Sequence, residues 1–240
     1  MPPAPIFTEE TLQFLRGLKR HNDRDWFEAR REVFELAVKA PMLALLSRLT
    51  LGMADYAPGH VRPPAKCLFR IYRDTRFSAD KSPYKTHLGA WWSHTGMPKT
   101  SGAGFYMHVS GAEFVIAAGA YMPEKDQTLA IRRHLLEHHA EWKKLIEDRQ
   151  LLRVFSVHDP MALTRAPKGF PPDHPAIQWI QWQQWGVTAH LPAEFALRPT
   201  LAADIEKRFR LAAPLVHFLN APLIAAARPR RVWTAPLPRK

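Results

Sequence analysis

One cysteine, Cys67, is all that 240 residues contain. That excludes an internal disulfide framework and any zinc site built on clustered cysteines. Its place beside Phe69 marks it as a small buried hydrophobe. No run of about twenty apolar residues stands out as a bilayer span, and no charged-then-apolar leader opens the chain. The expectation is a cytoplasmic protein with no membrane partner. Phosphate-binding glycine motifs are missing as well: there is no P-loop, no GxGxxG after a strand and no GxSxG elbow. No nucleotide or other cofactor is expected. Acids are sparse, 22 Asp and Glu against 34 Lys and Arg, for a net charge of +12. Such a balance attracts phosphates, nucleic acid or anionic surfaces, and it also arises in basic proteins that bind nothing acidic.

What is present concentrates in Lys66 to His87, KCLFRIYRDTRFSADKSPYKTH, with six Lys or Arg, two Asp, two Tyr and a His. Residues 67–77 alternate as a strand would. Phe69, Ile71, Thr75 and Phe77 then share a face with Arg73, while Arg70, Tyr72, Asp74 and Arg76 line the other. A charged sheet face is costly to bury unless its charges are paired or used. Ser78 to Pro83 is turn chemistry, and it delivers Lys81, Tyr84, Lys85 and His87 near the strand's end.

This stretch resembles the signature of an uncharacterised family, domain of unknown function 2461. HNDRDWF at 21–27, RAPKGFPPDHP at 165–175 and HFLN at 217–220 extend the resemblance over most of residues 7–222. Its members are uncharacterised, so the resemblance implies no activity.

The predicted fold is α+β, an antiparallel sheet of about four to five strands within residues 66–121, flanked by N-terminal and C-terminal helices. The strands are 67–77, 88–93, 104–110 and 113–121, and a short one is expected within 152–157. Helices are expected from Thr8, from Asn22 and Asp23, over 42–53 with Pro41 in the first turn, over 123–150 with a break near His139, and from Thr200 with a kink or division at Pro214. Residues 1–7 read as a loose leader, 8–222 as one domain and 223–240 as a basic, Pro-rich, disordered tail. Ala117-Ala118-Gly119-Ala120 leaves little side-chain volume, which fits either room for a ligand or the close approach of a helix.

His134, Glu137 and His138 match the HxxEH zinc pattern, but no third ligand is evident, and no metal is expected. Trp179, Trp182 and Trp185 recur as one drifting helix face, suited to a core stripe with one indole edging a site.

The residues left to bind something are cations and their hydrogen-bonding neighbours. Arg70, Tyr72, Arg73, Asp74, Arg76, Asp80, Lys81, Tyr84, Lys85, His87 and Lys168 form the candidate site, for a phosphate or carboxylate on a small molecule. The same residues could instead be a self-satisfied network, with Asp74 and Asp80 pairing the arginines and lysine, in a protein that acts through a partner. A nucleic-acid-binding module is the other alternative, resting on the net charge, the basic tail and Trp91, Trp92 and Trp185 as stacking candidates.

Overall fold

The computed structural model describes residues 6–98 and 101–226. Helix α1, Glu9–Arg20, starts where the Thr8 amide donates to Thr11 Oγ1 at 3.2 Å. Its buried stripe is Leu12, Leu15 and Leu18 with Phe14, as the period predicts. Phe7, the last residue of the leader read from sequence, is fully buried. The expected tail falls mostly outside the described residues, and its first four residues, 223–226, belong to the last helix.

Asp23 caps the short helix α2, Arg24–Glu28, by accepting from the Trp26 amide at 2.8 Å. Helix α3 then runs unbroken over Arg31–Tyr56, so no separate helix starts at Pro41. A π-helical turn at Phe34–Lys39 takes up the proline. Pro41 has no N–H for the carbonyl four residues back, Ala37, and that carbonyl instead accepts from Thr11 Oγ1 at 2.6 Å. α3 is long and apolar enough to cross a membrane by length and composition alone, contrary to the sequence expectation. Its apolar side is buried in the core through Met42, Leu45, Leu46, Leu49 and Met53.

The sheet is antiparallel, five-stranded and ordered β1-β2-β3-β5-β4. Strands β1, His87–Ser93, β2, Gly104–Ser110, and β3, Glu113–Ala120, lie within a residue of their predicted bounds. β4 is only Ser156–Val157, and β5, Trp185–Pro192, was not foreseen. The predicted sheet of residues 66–121 thus supplies three strands and later sequence the other two. Residues 67–77 are not one of its strands. Cys67 ends a helical turn, Pro64–Cys67, and beyond it only the isolated bridges Leu68 to Ala90 and Tyr72 to Tyr84 form.

Helices α4, Lys125–Glu137, and α5, His139–Ile146, break where the sequence suggests. Helix α6, Leu201–Ala226, is not divided at Pro214 or Pro222. Pro214 is exposed, so the carbonyl it leaves unserved can meet water. α6 packs on β3, α3, α4 and α5 and covers one face of the sheet. Phe209 meets Phe105 at 5.1 Å and Trp92 at 5.6 Å, and the Trp92 indole donates to Thr50 of α3 at 3.0 Å. Trp179 and Trp185 are core residues, as expected, but not on one helix: Trp179 sits in the turn Ile177–Ile180 and Trp185 opens β5.

Near its end α6 presents Asn220, buried, to both backbone groups of Ala103, at the end of the 94–103 connection. Asn220 Oδ1 accepts from the Ala103 amide and Nδ2 donates to the Ala103 carbonyl, both at 2.9 Å. Asn220→Ala leaves the buried Ala103 amide unpaired and the carbonyl with only the 3.3 Å contact from His60 Nε2. The expected loss is about 2–4 kcal/mol of unfolding free energy, read by urea titration. A loss within about 0.5 kcal/mol, the range of surface substitutions, would show that the clamp is dispensable.

Candidate functional site

The signature keeps its predicted faces only as far as Arg73: Cys67 and Ile71 are buried and Phe69 half-buried, while Arg70 and Tyr72 face out. Phe77, assigned to the apolar face, is 95% exposed. The cause is local. Arg76 Nε and Nη2 bond Asp74 at 3.0 and 2.8 Å, and the Ser82 amide and hydroxyl both turn in to Asp80 Oδ1. Side chains that bond their own neighbourhood compete with a ladder. What forms is a loose hairpin, with the Arg73 amide donating to Pro83 O and the Lys85 amide to Ile71 O.

This hairpin is held to α2 by a second asparagine. Asn22 Nδ2 donates to Tyr84 O at 2.9 Å and Asn22 Oδ1 accepts from the Tyr84 amide at 3.0 Å. Phe27 stacks on Tyr84 at 4.1 Å. Between the two segments lies an open polar cleft of about 680 Å³. Asn22, Asp23, Arg24 and Glu28 line one side. Tyr72, Arg73, Thr75, Lys81, Ser82 and Pro83 line the other.

The predicted residues therefore divide. Tyr72, Arg73 and Lys81 border the cleft. Arg73, on the apolar side, reaches Asp80 and the Ser78 hydroxyl, and Lys81 donates to Thr75 O at 3.0 Å. Tyr84 is buried beneath the cleft. Arg76 and Asp74 answer each other in solvent, with Arg76 77% exposed, and do not border the cleft. The Arg76 guanidinium holds the Asp74 carboxyl down at about 2. Asp80 is held below the usual range by the Ser82 hydroxyl first and Arg73 second. Arg70 and Lys168 are exposed and line neither concavity. Lys85 lies 5.1 Å over the Phe69 ring and His87 is 4.6 Å from His108, so both belong to the sheet's outer side. Arg24 was missed, although HNDRDWF had been singled out.

That outer face, turned away from α6, carries a second concavity. Register aligns Tyr106, Ala117 and Thr188 across β2, β3 and β5. Beside them run a row of His108, Val115 and His190 and a row of Gly104, Gly119 and Gly186. The result is a trough of about 620 Å³ with small residues on its floor and Phe69, Trp91, Tyr121 and Met122 around it. The Ala117–Ala120 run therefore serves two faces. Ala118 and Ala120 lie on the core side under α6, and Ala117 and Gly119 leave room outside. Trp185 also lines this trough.

At one end Glu113 Oε2 meets His190 Nδ1 at 2.8 Å, and Glu113 Oε1 lies 3.7 Å from His108 Nε2. His108 Nδ1 is 3.1 Å from the Tyr106 hydroxyl. Burial lowers His108 to about 4 and raises Tyr106 to about 12, so at neutral pH both are uncharged. The His190 hydrogen bond keeps Glu113 ionised. Nothing in the sequence reading selected these residues, although FYMHVS places Tyr106 and His108 on one strand face.

His134 and His138 lie 4.4 Å apart at the end of α4. Among the described residues no group of three or more His, Cys, Asp or Glu is placed to hold a metal ion. Trp91, Trp92 and Trp185 are buried, which removes them as exposed stacking surfaces for nucleic acid.

A family model described as a conserved hypothetical protein (DUF2461) matches residues 10–218. No curated protein and no solved structure matches the chain.

Proposed function

The chain belongs to the DUF2461 family of conserved hypothetical proteins, and from that premise we propose that it binds a small anionic molecule, a phosphate or carboxylate, in the 22–28/72–83 cleft. One observation carries the reading. Arg24, Arg73 and Lys81 come from two separate segments to one cleft, with hydrogen-bond donors still unused. Arg24 makes no ion pair among the described residues. Among the described residues Lys81 meets only a backbone carbonyl through its ammonium. The cleft's carboxylates are engaged: Glu28 holds Arg31, and Asp23 caps α2. Guanidinium and ammonium groups with free donors suit a phosphate or carboxylate.

The pairs Arg73–Asp80 and Arg76–Asp74 support a second role for the signature, that of holding its own loop in shape. Arg24 and Lys81 separate the two. Arg24→Ala and Lys81→Ala are expected to leave stability within about 0.5 kcal/mol, because both side chains are exposed. Inorganic phosphate, sugar phosphates and dicarboxylates are screened by thermal shift. A ligand at a hundred times its dissociation constant stabilises wild type by about 2.7 kcal/mol. That response should vanish in the double variant and persist in Arg76→Ala. A full response in the double variant, or none from any anion in wild type, refutes the proposal.

A further inference from the structure

The trough on the sheet's outer face shares no residue with the cleft, and the inference from it stands apart from the anion reading. Ala117 and Gly119 give it a low floor, and Phe69 and Trp91 border it, a shape and chemistry suited to a flat ring system. Two polar features lack an obvious use within the fold. The Trp91 indole is 8% exposed, and its Nε1–H has no acceptor among the described residues. A buried donor without a partner is unusual enough to need a reason. Directly across the strand pair from Trp91 is Tyr106. Glu113, 3.7 Å from His108 Nε2, favours the ring proton on that nitrogen, with Nδ1 as the acceptor toward Tyr106. Tyr106 then donates to His108, which leaves the phenol oxygen free to accept a hydrogen bond from something else.

We propose that the trough binds a planar aromatic alcohol or phenol whose hydroxyl accepts from the Trp91 indole and donates to Tyr106, backed by His108 and Glu113. The ring lies over Ala117 and Gly119. A ligand oxygen that accepts only, or none at all, leaves the Tyr106 oxygen without a donor.

The test is a ¹⁹F NMR titration of the whole protein with 6-fluoro-2-naphthol and with its methyl ether, which can accept but not donate. Wild type should bind the naphthol about three- to tenfold more tightly than the ether, the ratio one hydrogen bond supplies. Tyr106→Phe should erase that preference and leave ether binding unchanged. Ala117→Leu, which fills the floor, should abolish binding of both, and Lys81→Ala in the cleft should change neither. Should Ala117→Leu fail to fold, the wild-type Trp91 indole N–H resonance, assigned with Trp91→Phe, must move on adding the naphthol. Equal binding of the two probes, an unchanged preference in Tyr106→Phe, an unmoved Trp91 resonance or no binding at all overturns the proposal.

Discussion

Gly119→Ala is expected to destabilise the fold by about 3–5 kcal/mol, the sum of left-handed backbone strain and overpacking. Gly119 sits in β3, between β2 and β5, with φ of 139°. A Cβ there would come 2.2 Å from the Trp185 carbonyl oxygen and 2.4 Å from Gly186 Cα. Both obstacles are backbone in a paired strand, so no side chain can swing aside. Gly169→Ala is the control: its φ is 86°, yet nothing lies within 4 Å of the added carbon. It should cost about 1 kcal/mol through strain alone. In urea titrations the two variants should differ by at least about 2 kcal/mol. Equal losses would mean that the strand shifts freely and that the glycine row does not fix the trough's floor.

Acid should remove a comparable amount. Burial lowers His60 and His108 to about 4, from an unfolded value near 6.5. Below about pH 6.5 the unfolded chain takes up protons on both residues that the folded protein refuses, so stability falls with pH through this window. The loss ends near the folded values. Each group contributes at most about 1.4 kcal/mol per pH unit, or roughly 3 kcal/mol between pH 7 and 4. Neither has a neighbour that reverses the sign. His60 faces His94, His217 and Arg62, all opposing a charge, and the Ala103 carbonyl at its Nε2 offsets its burial only in part. His108 faces His87 and His190, with Glu113 pulling only partly the other way. Denaturation midpoints between pH 7.5 and 4.5 should fall steeply for wild type. His60→Gln should start less stable but lose about half as much. A flat profile from pH 7 to 5 would refute the assignment.

Much of the fold is legible where each stretch signals one period. Leu12, Leu15 and Leu18 mark α1, and Gly111 separates β2 from β3. β5 escapes because Trp179, Trp182 and Trp185 repeat at helical spacing. The inward Trp185, Val187 and Ala189 against Gly186, Thr188 and His190 is strand periodicity, visible only once the tryptophans are set aside. Residues 67–77 mislead in the opposite way. Their alternation is real through Arg73, and then Asp74 and Asp80 bind their own neighbours instead of continuing a ladder. The candidate sites were harder to read because they are made of distance. Arg24 and Lys81 border one cleft across the Asn22–Tyr84 clamp, and Glu113 meets His190 across 77 residues of chain. No local pattern encodes either meeting.

Helix α6 has a consequence for how the protein is made. Residues 201–226 cover Phe105 and Trp92 through Phe209, and both leave the ribosome long before that helix. β5, which separates β3 from β4, also emerges late. A nascent chain stopped short of Leu201 therefore displays a greasy β-sheet with its cover still in the exit tunnel. Such an intermediate is a natural client for a ribosome-bound chaperone. Synonymous codon changes that slow translation between β3 and α6 should lengthen that exposure and lower soluble yield without altering the finished molecule.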